Sequence, residues 1–396
     1  MDKFTRNLYL ITVYKYPNLK LTMKFSQYFS LLAILSILIS CSSDSEPTSE
    51  TDKSGTPPAL APIPTDTYFP PISRTNEWET ISMETLGWNE DQVDNLYNFL
   101  EDNNTDAFIV LKDGRMVIEK YFGDFTSDDN HAWNSAGKNL TAMLTGIAQE
   151  EEFLKITDTT SNYLGEGWSS LPSEKELNIT IENQLTMTTG LDYTVENIFC
   201  TDPNCLTYLN EPGTFWYYHN APYTLLDDVI AFATQQDFNS YFSEKIKEPI
   251  GMQGLFIKVG YNNVFYSSAR SMARFGILNL NQGNWDGLSI LSDQNYFNAM
   301  TNSSQNYNLA YGYLYWLNGK SSFRLPNSED EFTGSLIPNA PADLYAGLGL
   351  NDQKLYMVPS LDLVIVRMGG ASNEDLLGPS SFDNEIWGLI NAIIEN

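Results

Sequence analysis

Ser135 and Lys138 stand three residues apart in Trp133-Asn134-Ser135-Ala136-Gly137-Lys138. The residues that follow, NLTAMLTGIAQEEEFL, predict a buried helix with Leu140, Leu144 and Ile147 inward. Positions three apart on a helix share a face, so a hydroxyl and an amine would meet there. An ammonium beside a helix N-terminus and shielded from water has a lowered pKa. A neutral Lys138 could then accept the Ser135 proton. Alone, the Ser-x-x-Lys spacing arises often by chance, and a capping serine beside a surface lysine is then the stronger reading. A second cluster, Phe215-Trp216-Tyr217-Tyr218-His219-Asn220, precedes APYTLLDDVI, which opens another predicted helix. Tyr218 and Asn220 there would offer a phenol and an amide; an aromatic core stripe is the other reading. A third, Ala346-Gly347-Leu348-Gly349-Leu350-Asn351-Asp352-Gln353, enters the strand LYMV. Glycine would let that strand edge approach a substrate closely. It is not a dinucleotide fingerprint, because the third glycine and a following helix are missing.

Composition narrows the chemistry. The 396 residues hold 50 acids and 22 bases, for a net charge of -28, and the pI is about 4.2. A chain this acidic has no broad basic surface for a phosphate backbone, so nucleic acid is excluded as a partner. Anionic headgroups would repel it too. The two histidines, His131 and His219, leave little room for a histidine-rich metal site. A Ser-His-Asp triad would need one of them as its base. No metal or other cofactor is called for, and no protein partner is inferred. Hydrophobic residues at 42% and aromatics at 13% suit a large folded core.

The elements that must position these residues can be read in outline. WNEDQVDNLYNFLE (88–101) carries Val93, Leu96 and Leu100 at helical spacing. AFIVL (107–111) and MVIEKYF (116–122) flank Asp113-Gly114, a hairpin signal. LYMV (355–358) and LVIVRM (363–368) flank Pro359-Ser360, and an amphipathic helix is predicted over 382–395. Both ends of the domain would therefore build one antiparallel sheet with terminal helices. The middle, about 135–300, would form a mostly helical second lobe. The predicted class is α/β of the α+β type.

Five bases and one acid mark residues 1–40 (Lys3, Arg6, Lys15, Lys20, Lys24 and Asp2). Lys24 precedes FSLLAILSILIS, an apolar run shorter than the roughly 20 residues that span a bilayer but long enough for a signal-peptide core. It ends in Leu38-Ile39-Ser40-Cys41, which looks like a bacterial lipobox with Cys41 as the lipidated residue. On this reading 1–22 is an over-called extension before a true start at Met23, 23–40 is the signal peptide and 41–78 is a disordered Ser/Thr/Pro-rich acidic tether. The catalytic domain is 79–396. The protein would be an exported bacterial lipoprotein of the outer membrane, anchored by lipid at its periplasmic face or on the cell surface. In that compartment Cys200 and Cys205 are expected to form a disulfide.

Taken in this order, the three motifs resemble the penicillin-recognising serine hydrolases: serine β-lactamases, DD-peptidases and their esterase relatives. IENQLTMTTGLDY (181–193), SSARSMARFGILNLNQGNWDG (267–287), YGYLYW (311–316) and LYMVPSLDLVIVRMG (355–369) extend the likeness over about residues 80–395. The nearest branch is that of class C β-lactamase-like proteins, 6-aminohexanoate-dimer hydrolases and related esterases. The resemblance implies a β-lactamase/transpeptidase-like fold with Ser135 at the junction of sheet and lobe. It implies Ser135 as the acylated nucleophile, with Lys138 and Tyr218 sharing base and acid work. Asn220 would orient Lys138 and meet the substrate. The N–H groups of Ser135 and Leu350, the latter beside Gly349, would form the oxyanion hole. Tyr193 would be a second phenol at the pocket.

One departure from the family bears on the substrate. Where the family carries Lys-Thr-Gly, this chain has Gly347-Leu348-Gly349, so the groups that hold a penicillin carboxylate are absent. An ester or small amide without a required carboxylate is the expected small-molecule substrate. Action on β-lactams or peptidoglycan peptides, and a non-catalytic ligand-binding surface lipoprotein, stay open beside it. Arg270 and Arg274 are expected to cap or pair with acids. His219 reads as a loop residue, and His131 as no part of the chemistry.

Overall fold

A computed structural model of the chain describes residues 60, 63, 66–73, 77–372 and 378–394. The expected extension, signal peptide and lipidation site at Cys41 lie outside them. The Asp113-Gly114 pair makes its predicted turn with both residues at positive φ, 51° and 76°, the geometry that matches a hairpin to strand twist. Helix α1 (Val93–Asp102) leads into strands β1 (Thr105–Lys112) and β2 (Arg115–Tyr121) on either side of that turn. The short β3 (His131–Ala132) comes next, then helix α2 (Lys138–Glu150) and helix α3 (Asn220–Thr234). Strands β4 (Leu255–Val259) and β5 (Asn262–Ser267) precede helix α4 (Ala269–Leu280). The last part of the chain supplies β6 (Trp316–Leu317), β7 (Tyr345–Gly349), β8 (Gln353–Val358), β9 (Leu363–Gly369) and helix α5 (Ser381–Ile394).

The main sheet has the order β2-β1-β9-β8-β7-β6, all neighbours antiparallel. It thus joins an N-terminal hairpin to C-terminal strands, as the terminal runs predict. Every residue of β8 and β9 is buried, which is why LVIVRM reads as continuous apolar sequence rather than alternation: both faces are covered. On one face α1 buries Leu96 and Leu100, and Phe99 stacks on Phe382 of α5 at 5.2 Å. On the other face lies α4, tied to the sheet side by Tyr315 Oη to Asn279 Oδ1 (2.7 Å) and Tyr345 Oη to the Asn279 carbonyl (2.9 Å). Sequence assigns 269–280 to the helical lobe; it is instead a layer of the sheet domain. Its apolar stripe fixes that it packs but not against what.

The lobe itself holds α2, α3 and several short helices. Against it lies the small sheet β3-β5-β4, whose strands β4 and β5 fall within the stretch expected to be mostly helical. Helix α2 is buried on nearly all sides, from Lys138 to Ala148. The expected disulfide between Cys200 and Cys205 is present, with Cα atoms 5.8 Å apart.

The tether expected through residue 78 ends sooner. Within the described residues, the Tyr68 N–H donates to the Asp113 carbonyl at 2.9 Å. Phe69 packs edge-on against Trp285 at 5.2 Å, and Trp78 Nε1 donates to the Gly114 carbonyl at 2.8 Å. Arg274 takes the carbonyls of Pro70 and Pro71 at 3.1 and 2.8 Å. The aromatic side chains in this stretch give it something to bury, which the Ser/Thr/acid-rich part before it lacks.

Candidate active site

Ser135 sits where β3 gives way to α2. Trp133 is fully buried and anchors that transition, with its N–H on the Phe265 carbonyl (2.8 Å) and its indole Nε1 on Ser267 Oγ (2.7 Å). Asn134 then turns the backbone sharply at φ 48°. Asn134–Gly137 form one 3-10 turn, so Ser135 precedes the helix rather than lying in its first turn. Lys138 still falls on the same side: its Nζ donates to Ser135 Oγ at 3.0 Å.

Lys138 is only 4% exposed. Its ammonium position lies over the ring of Tyr223 at 4.3 Å and that of Tyr218 at 5.1 Å. No carboxylate among the described residues comes within ion-pair distance of it. Burial lowers its pKa to about 7, with the charge of Asp227 opposing. A lysine near half-neutral at pH 7, hydrogen-bonded to a serine hydroxyl, meets the geometric and energetic conditions for a general base.

Tyr218 is buried, stacked on Trp316 at 5.8 Å and edge-on to Tyr311 at 6.2 Å. Burial holds its phenol well above the usual range, with Ser135 as the smaller, opposing influence. The hydroxyl completes no hydrogen bond of full geometry; Ser135 is its polar neighbour. A buried hydroxyl left this way costs about 1–3 kcal/mol, a cost tolerated mainly at functional sites. Asn220 opens α3 and is 3% exposed. Its side chain makes no hydrogen bond to Lys138, whose amine is turned to Ser135 and the Tyr223 ring.

Gly347 and Gly349 of β7 pass directly against the nucleophile's turn. A Cβ on Gly349 would fall 2.5 Å from the Trp133 carbonyl oxygen, 3.0 Å from Ala136 N and 3.1 Å from Ser135 N. One on Gly347 would fall 2.2 Å from Asn139 Oδ1. No larger residue permits this approach. Leu350 follows directly, half-buried, and its carbonyl accepts from Asn134 Nδ2 at 2.8 Å.

Other candidates fall to the side. Tyr193 is stacked at 3.6 Å on Tyr217, next to Phe215, and its hydroxyl donates to Glu329 at 2.7 Å. His219 is buried with both ring nitrogens unpartnered and lines a small hollow with Tyr193, Phe215 and Tyr217. Burial lowers its pKa to about 4, with Asp192 opposing. His131 Nε2 lies 3.4 Å from Asp106 Oδ2. Arg270 meets Glu119 at 2.5 and 2.7 Å, an acid as expected. Arg274 meets backbone carbonyls instead of an acid. The sequence reading missed Asp227. It is buried on α3, its Oδ2 held by Asn263 at 3.0 Å and its Oδ1 unpartnered. Burial raises its pKa to about 7, against Asn263 and the positive charges of Lys258 and Lys138. Its one sequence signal was an acid in the apolar run LLDDVI, four residues after Tyr223.

Comparison with known proteins bears on the family and the fold. The β-lactamase family profile matches residues 99–368. A protein of Bacillus subtilis (strain 168) described as the penicillin-binding protein PbpX is 24% identical over 204 residues, 46% of this chain. That match spans 50% of the length of this curated relative. A solved structure from Bacillus anthracis described as a 6-aminohexanoate-dimer hydrolase aligns with a TM-score of 0.59 at 19% identity, over 83% of this chain and 89% of its own. A family VIII carboxylesterase aligns with a TM-score of 0.58 at 14% identity, over 80% and 98%. At such identities the structural likeness concerns the fold.

Proposed function

The chain belongs to the β-lactamase family, and we propose that within it this protein is a serine hydrolase cleaving a carboxylic ester or small amide through an acyl-enzyme on Ser135. The observation that carries this reading is the 3.0 Å hydrogen bond from Lys138 Nζ to Ser135 Oγ, with the lysine buried. Neutral Lys138 takes the hydroxyl proton as Oγ bonds to the substrate carbonyl carbon. The negative charge that develops on the carbonyl oxygen is met by the N–H groups of Ser135 and Leu350. As the carbon–leaving group bond breaks, Tyr218 gives its proton to the departing oxygen or nitrogen and regains one from the Lys138 ammonium. Water then attacks the ester on Ser135 with the same groups in reversed roles, returning the free serine and a carboxylic acid.

The substrate class follows from Gly347-Leu348-Gly349. No cation or hydroxyl stands there to hold a substrate carboxylate, and a net charge of -28 repels anions. The names of the relatives cover penicillin binding, amide hydrolysis and ester hydrolysis; this strand favours the last two. The test is a fluorophosphonate probe with a panel of p-nitrophenyl esters and nitrocefin. Wild type is expected to be labelled, and Ser135→Ala to lose both labelling and about 10³-fold or more of esterase activity. Labelling that survives Ser135→Ala removes the nucleophile assignment. Nitrocefin turnover outpacing every ester would move the substrate class to β-lactams.

A further inference from the structure

Asn134, the residue before the nucleophile, is held in the left-handed region, which Asn tolerates better than most side chains. Its Nδ2 donates to the Leu350 carbonyl at 2.8 Å across 216 positions of sequence. One side chain therefore ties the turn carrying Ser135 to the turn that follows β7. That second turn is strained, with Asn351 at φ 60° and Asp352 at φ 55° in succession. Asn and Asp adopt this region singly more readily than other side chains, but two in succession need neighbouring groups to hold them.

What holds them lies behind the turn. Arg367, fully buried, donates Nη1 to the carbonyls of Asn351 (2.8 Å) and Asp352 (3.1 Å). Its other donors go to the Asn103 carbonyl (2.6 Å) and Thr105 Oγ1 (3.1 Å). Gln353 Nε2 reaches the Asn351 carbonyl at 2.8 Å, that of Gly369 at 2.6 Å and, at the longer distance of 3.5 Å, that of Leu350. The Asp352 carboxylate accepts from Ser372 N and Oγ (3.1 and 2.7 Å) and Ser380 Oγ (2.6 Å), and pairs with buried Lys354 at 3.1 Å. Burial alone would raise its pKa; Lys354 and the serines overcome that and hold it at about 2. The rear of the turn is thus fixed by permanent charge, and the short hydrogen bond at its front is the one from Asn134, Gln353 reaching the same carbonyl only at 3.5 Å.

We propose that Asn134 is a positioning residue for the oxyanion pocket: by holding the Leu350 carbonyl it sets the separation of the Leu350 and Ser135 N–H groups, while Arg367 and Asp352 brace the same turn from behind. The proposal rests on the serine hydrolase reading above. An oxyanion pocket stabilises the transition state only when its donors are fixed before the charge develops. Arg367 immobilises the carbonyls of 351 and 352 but makes no bond to that of 350. Gln353 reaches that carbonyl only at 3.5 Å; the Asn134 amide, at 2.8 Å, is its close donor and does not touch the reacting atoms.

The test uses Asn134→Asp and Asn134→Gly. Both residues tolerate the left-handed backbone, and neither provides the neutral amide donor. Rates are expressed per active site titrated with fluorophosphonate, so a partly unfolded variant does not mislead. The expected result is a fall of about 10–100-fold in kcat on a p-nitrophenyl ester, part of the 10²–10³ that follows outright loss of a donor. KM should stay within about twofold. The inhibition constant of a boronic acid, which forms a tetrahedral adduct on the serine, should rise by the same factor as kcat falls. A purely structural role would not link those two numbers. Labelled wild type with variants of unchanged kcat overturns the proposal alone. A raised KM at unchanged kcat also overturns it, making Asn134 a substrate contact. Unlabelled wild type overturns the nucleophile reading itself, and this inference with it.

Discussion

Lys138 can serve as a base only if it releases its proton near neutrality, and two neighbours settle where that happens. The rings of Tyr218 and Tyr223 exclude water and lower its pKa to about 7; the charge of Asp227 works against them. The sign of the coupling follows. An ionised Asp227 favours the ammonium, so removing its charge lets Lys138 deprotonate at lower pH. Asp227→Asn should therefore shift the acidic limb of the kcat/KM–pH profile downward from its position near 7, leaving activity at pH 8 within a few-fold of wild type. A limb that stays or moves up rejects the coupling. The Ser135–Lys138 pair was legible because its geometry is local: three residues around one turn. Asp227 was not, since its relation to Lys138 arises only when α3 packs beside α2. Tyr193 shows the converse. The family likeness offers it as a second phenol at the pocket, but its stacking on Tyr217 and the capture of its hydroxyl by Glu329, 136 positions away, lie beyond what sequence shows.

The site is an agreement between elements, and its tightest seam is where β7 crosses the turn before α2. A methyl on Gly349 would meet only backbone atoms, at 2.5, 3.0 and 3.1 Å, none of which can swing aside as a side chain would. Strand and turn would have to part by a large fraction of an ångström. Gly349→Ala should cost about 10²-fold in kcat, the order expected for a misplacement of about 1 Å, and about 1–3 kcal/mol of stability. Steady-state kinetics with denaturant unfolding checks both; an alanine variant of wild-type activity would mean the seam has slack that these distances deny. Elements bounded by turn chemistry were readable, as at Asp113-Gly114 and Pro359-Ser360. The assignment of helix 269–280 to the lobe failed for a physical reason. Amphipathic spacing reports that a face is buried, while the identity of the partner, here the β7–β9 side of the sheet, depends on contacts far along the chain.

At the scale of the molecule, the acidity that excludes polyanions coexists with a few buried cations, each with its own set of acceptors. Arg274 is one. Burial lowers its pKa to about 10, so it stays charged at neutral pH. Its guanidinium sits over Trp78 and Trp285 at 5.3 and 5.9 Å. Two of its three acceptors, the carbonyls of Pro70 and Pro71, come from the stretch that composition alone assigns to the tether. The acid- and serine-rich composition of 41–65 hid the change at Tyr68-Phe69-Pro70-Pro71, where apolar surface becomes available to bury. A domain cut to begin at residue 79 would remove Trp78 as well, leaving Arg274 with the Ile250 carbonyl and the Trp285 ring, and Trp285 without Phe69. Hydrogen bonds to charged groups contribute about 1.5–3 kcal/mol each, offset by the entropy of ordering the segment. A net loss of about 1–3 kcal/mol is expected, which for a domain of this size lowers Tm by roughly 1–5 °C. Calorimetry on chains beginning at 60 and at 79 measures it directly. Equal melting temperatures would show that the segment docks without stabilising. A lower one in the shorter chain would place the start of the folded domain before residue 79.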